Sequence, residues 1–257
     1  NDLPGTNHGA LSDNTTAGIA RWRAYEDSVL QQLRAVDSRS LGTGADRVLH
    51  GVLLDQVERD VGVRVCRLEL WGVASYVNGW QASLTDLARV QPAGTDELRA
   101  LALHRARAIP RYIDNEVVLL QQGLRAGYSS PKVIVREVIS QLDSLLAATP
   151  ARSPFSAPAQ KDTTPAFQSA YHAIVRDEIN PAVRRYRTYL QEKYLPAARE
   201  ELGVAANPDG RACYDASLRE FATVAMPAED VYEIGVRELR RLDQEMRPLA
   251  KRLTGQD

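Results

Sequence analysis

The sequence predicts an all-α protein, a layered array of many helices. Three observations carry this. Apolar residues recur at steps of three and four over long stretches, most clearly at Val231, Gly235, Leu239, Leu242, Met246, Leu249 and Leu253. Proline and glycine stand at the ends of such stretches, as Pro227 and Gly255 do around this one. Alternating patterns that would mark strands are brief, and Asn-Gly, the strongest hairpin dipeptide, occurs only at Asn78-Gly79.

Taken in order, the periodicity predicts helices over 17–36, 45–60, 63–76 and 82–90. The third is rich in β-branched residues. Residues 95–125 read as a long helical stretch with Leu98, Leu101, Ile109, Ile113, Val117, Leu120 and Leu124 on one side. Pro110 lies inside it, so a kink or a division into two helices is expected, with Gly127 closing the stretch. Gly123 and Gly127, four apart at a helix end, read as capping rather than phosphate binding. Ser130-Pro131 reads as an N-cap and first-turn pair for a helix reaching about 147, with Ile134, Val138, Leu142 and Leu145 inward.

Residues 149–164 contain Pro150, Pro154 and Pro158 among Ser and Thr and read as a long loop, a possible subdivision of an otherwise single helical domain over 1–257. A helix restarts at Thr164-Pro165 and runs to about 192, with Pro181 expected to break it. A short helix covers about 195–202. The turn Asn207-Pro208-Asp209-Gly210 precedes a helix over 212–221. The stripe from Val231 to Leu253 reads as buried.

Composition narrows the function classes. Over 257 residues the formal net charge is -1, with 25% charged and 44% hydrophobic residues, ordinary for a globular domain. This argues against a strongly basic nucleic-acid binder, although Arg184, Arg185, Arg187, Arg237, Arg240 and Arg241 form basic clusters. Only Lys132, Lys161, Lys193 and Lys251 among the 32 basic residues are lysines, a bias that GC-rich codon usage explains. No apolar run is long enough for a membrane span. Residues 1–18 are polar and do not resemble a signal peptide. The chain does not begin with Met, so upstream residues are expected to have been removed, by export processing or otherwise. Cys66 and Cys213 form no Cys-x-x-Cys pair; two free buried thiols are expected, with one disulfide the other possibility.

No catalytic set emerges. His8, His50, His104 and His172 lack His-Glu-x-x-His spacing, and there is no phosphate-binding glycine loop or nucleophile elbow. Asp177-Glu178, Glu200-Glu201 and Glu229-Asp230 sit beside arginines and read as solvated ion pairs. Tyrosines concentrate late, at Tyr171, Tyr186, Tyr189, Tyr194, Tyr214 and Tyr232. Tyr214 and Arg219 follow the Asn207–Gly210 turn on one helix; a phenol and a guanidinium suit an anionic or peptide ligand. Their structural alternative is to pin that turn to the helix layer.

One ordered series is distinctive. It runs Ile109-Pro-Arg-Tyr-Ile-Asp-Asn, Gln122-Gly-Leu-Arg-Ala-Gly-Tyr, Ser130-Pro-Lys-Val, Ile139-Ser-Gln-Leu and Ser153-Pro-Phe. It continues with Ile179-Asn-Pro-Ala, Tyr189-Leu-Gln-Glu-Lys-Tyr-Leu-Pro-Ala-Ala-Arg, Asn207-Pro-Asp-Gly with Tyr214, and Val231-Tyr-Glu-Ile-Gly-Val-Arg-Glu-Leu with Glu245-Met246. From about 105 to 247 this resembles the bacterial family called domain of unknown function 885.

The resemblance implies the N-terminal part of a neurolysin-like, zinc-peptidase-type helical fold about twice this length, often exported or lipid-anchored. It implies metal-dependent peptidase or carboxypeptidase activity, with a His-Glu-x-x-His helix in the C-terminal half. No residue here matches that motif. The chain is therefore expected to be an N-terminal fragment, inactive alone, with no catalytic residue and no metal ligand, zinc being confined to the missing half. It would form one wall of a substrate cleft, with Tyr214 and Arg219 in contact with a peptide substrate and the missing half as packing partner. An exported, periplasmic or cell-envelope location follows from the same resemblance. The alternative is a non-catalytic helical binding or scaffold domain of the cell envelope.

Overall fold

A computed structural model describes residues 7–74 and 79–255. Among them every regular element is helical, as the periodicity predicts, and the one β-type contact is an isolated bridge between Pro131 and Arg199. In chain order the helices are α1 (Thr16–Ala35), α2 (Gly44–Gly62), α3 (Trp80–Val90), α4 (Asp96–Arg125), α5 (Lys132–Ala147), α6 (Ala157–Lys161), α7 (Pro165–Ile174), α8 (Asn180–Tyr189), α9 (Leu195–Ala197), α10 (Gly210–Ala222) and α11 (Ala228–Thr254). The chain divides into two compact units. The first comprises 1–28 and 67–208, the second 29–66 and 209–257. Residues 149–164 lie within the first.

In the first unit α8 packs against both α4 and α5. The core that results includes Ile109, Ile113, Leu142, Val183 and Leu190, all essentially inaccessible to solvent. Each such side chain contributes roughly 1.5–3 kcal/mol through burial. The amphipathic period predicts these contacts, but the buried face of α4 is rotated from the predicted stripe. It is centred on Ala102, Ala106, Ile109 and Ile113, while Leu98 and Leu101 are only half-buried. Small residues at 102 and 106 let the neighbouring helices approach. On α5, Val135, Val138, Ile139 and Leu142 are buried, and Ile134 and Leu145 flank them.

Prolines behave differently from expectation. α4 continues through Pro110 as a single helix. Proline within a helix costs about 3 kcal/mol, and burial of Ile109 and Ile113 beside it offsets that. Pro181 does not break its helix either. The chain stays helical from Pro165 to Ala197, because five residues, Val175–Ile179, widen into a π-turn just before Pro181. A second π-turn, Leu190–Tyr194, precedes Pro196 in the same way. A π-turn shifts the hydrogen-bond register, so the carbonyl that proline cannot serve finds another donor. The short helix predicted over 195–202 is therefore the end of this one.

Two further readings are corrected. The segment 149–164 is not an open loop: 3-10 turns at Pro150–Arg152 and Pro154–Ser156 lead into α6, with Phe155 and Ala159 fully buried. The helix predicted over 63–76 is replaced by 3-10 turns at Val63–Cys66 and Leu68–Leu70, joined by Arg67 in the left-handed region at φ 45°. Its β-branched valines and the flanking Gly62 and Gly72 weaken a regular helix there. Residues 75 and 76 of that prediction lie outside the described residues.

In the second unit α10 packs on the Val63–Cys66 turn and on α2. Cys66 and Cys213 are joined there by a disulfide with Cα atoms 4.6 Å apart, which corrects the expectation of two free thiols. The predicted apolar stripe of α11 is present but not buried. Leu239 is 69% exposed, Met246 63% and Leu253 86%, and Leu242 and Leu249 are exposed as well. A strong helical period shows that a face is apolar; it does not supply the surface that covers it.

Candidate functional site

Tyr214 and Arg219 lie on α10 in the second unit. Tyr214 is 47% exposed. Arg219 donates to the Asp55 carboxylate of α2 and to the Thr223 carbonyl. Thr223 is in the left-handed conformation at φ 59°, ending α10, so Arg219 braces the end of its own helix against α2. Arg59 continues the brace, with its Nε 2.9 Å from Asp55 Oδ2 and its Nη1 2.9 Å from the Glu220 carbonyl. The hydrogen bonds from Arg219 and Arg59 hold the Asp55 carboxyl below the usual carboxylate range. This brace and the disulfide fix α10, which leaves Tyr214 as the outward-facing polar group of the pair.

A second cluster lies in the first unit, where no sequence motif marks a site. α4 ends in a motif in which Gly127, at φ 83°, supplies the left-handed residue. The Tyr128 N–H donates to the Gly123 carbonyl at 2.9 Å and the Gly127 N–H to the Leu124 carbonyl at 3.2 Å. The chain then runs extended alongside Arg199: the Lys132 N–H donates to the Arg199 carbonyl at 2.8 Å, and the Arg199 N–H to Ser129 Oγ at 3.2 Å. The Ser129 N–H donates to Asn207 Oδ1 at 3.0 Å, and the Ser130 N–H to the Tyr194 hydroxyl at 2.9 Å. Ser130 does not cap α5; its hydroxyl donates to the Trp71 carbonyl at 2.6 Å. The Arg199 guanidinium stacks over Trp71, 5.3 Å from the ring centroid, and the Tyr189 ring lies 6.2 Å from that of Tyr194.

Within this network three side-chain atoms are buried and have no hydrogen-bond partner among the described residues: Tyr189 Oη, Arg199 Nη1 and Asn207 Nδ2. A buried hydrogen-bonding group without a partner costs about 1–3 kcal/mol. Burial raises the Tyr189 phenol to about 12, with the neighbouring Tyr194 adding to the rise and Arg125 opposing it, so the hydroxyl stays protonated at neutral pH. Burial lowers the Arg199 pKa, yet an arginine remains a cation. Each of these residues stands in a segment of the distinctive sequence series: Tyr189 and Arg199 at the two ends of one, Asn207 at the start of the next. Sequence alone shows the segments, but the missing partners are a property of the packed chain.

Arg185 pairs with Asp114, Arg187 with Asp143, and Arg241 with Glu238 and Glu245. Asp177 pairs with Arg176, Glu200 with Lys132, and Glu229 reaches Arg211 at 3.6 Å. His50 Nε2 lies 2.9 Å from the Leu33 carbonyl. Among the described residues no three His, Cys, Asp or Glu side chains converge in a way that could hold a metal ion, so the residues present do not fit a zinc centre. No helix of the described residues is long and apolar enough to cross a membrane.

The family model for "Bacterial protein of unknown function (DUF885)" matches residues 3–257. The chain belongs to this family. The DUF885 chain is also similar in fold to the "putative lipoprotein from Colwellia psychrerythraea", with a TM-score of 0.79 at 16% sequence identity. That likeness covers 93% of the DUF885 chain and 44% of the relative, so the chain spans less than half the relative's length. No curated protein matches it.

Proposed function

We propose that this chain is the helical wall of a larger zinc-dependent peptidase- or carboxypeptidase-like protein, and that further polypeptide both carries the metal and covers α11. The observation that supports this reading is the open seam of α11. Leu239, Leu242, Met246, Leu249 and Leu253 step by three and four along one helix face and are exposed. That is the pattern of a helix built to pack against another. Glu238 and Glu245 pair with Arg241, and Asp243 with Arg247, along the same helix. The greater length of the Colwellia relative is consistent with such an additional layer.

The neurolysin-type architecture and the zinc chemistry rest on the sequence resemblance. Because the residues present do not fit a zinc centre, no catalytic step is derived from them. Their role in this reading is to shape and orient. Tyr214 contacts a peptide substrate, and Arg219, anchored on Asp55, holds the helix that carries Tyr214. The Cys66–Cys213 disulfide fits an oxidising compartment, in keeping with an exported protein. A self-contained scaffold domain would not leave a continuous apolar stripe open to water.

The test compares the 257-residue chain with a version extended by downstream sequence. The 257-residue chain is expected to bind a hydrophobic dye at α11 and to show no zinc-dependent peptide hydrolysis. The extended chain is expected to lose the dye signal and to gain hydrolysis that a chelator abolishes. Tight binding of one zinc and peptide cleavage by the 257-residue chain itself would refute the reading.

A further inference from the structure

We propose that the cleft between residues 9–15 and α4, within the first unit, binds a small polyhydroxylated monocarboxylate, the chemistry of a sugar acid. The cleft has a volume of about 400 Å³, a size that holds a small molecule. Ser12 and Asp13 line it from the N-terminal segment, and His104, Arg111, Tyr112 and Asn115 line it from α4. Their spacing along the helix places these four on one face. The facing segment is pinned to the same helix at both ends. Arg105 Nε donates to the Ala10 carbonyl at 2.9 Å. Asn14 Nδ2 donates to the Tyr112 carbonyl at 2.9 Å and to Glu116 Oε1 at 2.8 Å, and Asn115 Nδ2 donates to Asn14 Oδ1 at 2.9 Å. Arg105 and Asn14 are both buried, so the walls of the cleft are held by buried polar anchors.

Charge and polarity narrow the ligand. Arg111 is exposed and makes no side-chain hydrogen bond or ion pair among the described residues, so its guanidinium is open to an anion. The one carboxylate of the lining, Asp13, is already offset. Arg21 pairs with it, and the Thr15 N–H and hydroxyl donate to it at 3.0 and 2.7 Å. Behind the lining, Arg105 donates to the carbonyls of Asn7 and Ala10 and to the Gln91 side chain, and the Glu116 carboxyl, raised by burial, accepts from Asn14. The lining is left with one permanent unpaired positive charge, which matches one carboxylate. Its remaining groups are polar. The Tyr112 phenol keeps its proton, because burial and then Glu116 raise it against a hydrogen bond from Ser12. The backbone N–H and C=O groups of Leu11, Ser12 and Asp13 lie outside any helix and make no hydrogen bond among the described residues. Donors and acceptors on both walls suit a ligand with hydroxyls along its length, whereas an apolar acid would strand them. The inference needs neither the zinc chemistry nor any further polypeptide, so it stands or falls apart from the proposed function.

The experiment is calorimetric titration of the 257-residue chain with three probes: gluconate, which carries both a carboxylate and hydroxyls, glucose, which lacks the charge, and acetate, which lacks the hydroxyls. Gluconate is expected to bind with a Kd of about 1 mM or below, and glucose and acetate at least about tenfold more weakly. Arg111→Gln removes the charge from an exposed side chain, so it is expected to keep the wild-type melting temperature while weakening gluconate at least about tenfold. Arg107→Gln is the control: Arg107 is an exposed arginine of the same helix that does not line the cleft, and the variant is expected to bind gluconate as wild type does. No heat of binding with gluconate at about 10 mM overturns the proposal. So does glucose or acetate matching gluconate, full affinity in Arg111→Gln, or an equal loss in Arg107→Gln.

Discussion

Cys66 and Cys213, 147 residues apart in sequence, are joined by a disulfide that ties the turn after α2 to the first turn of α10. The chain segments it links belong to one compact unit. That unit has few buried apolar side chains of its own and leaves the apolar face of α11 open, so the covalent link and the Asp55–Arg219 brace carry much of its order.

Reduction of the disulfide, or Cys66→Ser with Cys213→Ser, should therefore destabilise the second unit. A crosslink closing so long a loop is worth about 3–5 kcal/mol. Thermal unfolding followed by circular dichroism, with and without reductant, should show the transition of this unit fall by roughly 10 °C or more. An unchanged melting curve would mean that packing alone holds α10.

Gly123 is required for a close approach rather than for its conformational freedom. A Cβ at this position of α4 would overlap the Leu70 carbonyl, which is backbone and cannot swing aside. Gly123→Ala should cost roughly 2 kcal/mol or more, as over-packed sites do. Gly203, at φ -67° with open space around it, is the control: Gly203→Ala should be neutral or slightly stabilising. Chemical denaturation of both variants distinguishes the two cases.

Asp162 sets an acid limit on the first unit. The Thr164 N–H and then the Arg99 guanidinium hold its carboxyl down, from the ordinary 3.8 to about 2. A carboxyl whose folded value is depressed contributes stability that is complete above the unfolded value. That contribution is lost as pH falls through the folded one. Wild type should therefore lose more thermal stability between pH 5 and pH 2 than Asp162→Asn does. Parallel pH profiles of the two would exclude this role.

The open seam of α11 and the closed core of α5 should respond oppositely to substitution. Leu242→Glu places a charge on an exposed surface and should leave stability within about 0.5 kcal/mol while reducing hydrophobic-dye binding. Leu142→Ala empties a fully buried site and should cost roughly 2–5 kcal/mol. Urea titrations of both variants measure the contrast.

Much of the architecture was legible in the sequence because helix periodicity is a local property. α1, α2, α4, α5 and α11 lie within a few residues of their predicted spans. What was not legible depends on neighbours. Pro181 looks like a helix breaker until the π-turn before it is seen, and two lone cysteines carry no pairing information until the chain brings them together. The α11 stripe was read correctly as apolar and incorrectly as buried, since burial needs a partner that periodicity does not supply.

The site was less legible than the fold. Tyr214 and Arg219 were found because a phenol and a guanidinium follow a strong turn, and the structure gives Arg219 a bracing role that spacing could not show. Tyr189, Arg199 and Asn207 stood in plain view within the family segments. Their distinguishing feature, hydrogen-bonding atoms buried without partners among the described residues, arises only when the chain packs.

The central claim is that this helical chain forms part of a larger metallopeptidase-like protein. The most direct measurement is to determine the source gene's reading frame past the codon for Asp257. The account predicts that translation continues for a few hundred codons and includes a His-Glu-x-x-His helix. A stop codon directly after Asp257 would contradict it and leave the helical binding domain as the reading to pursue.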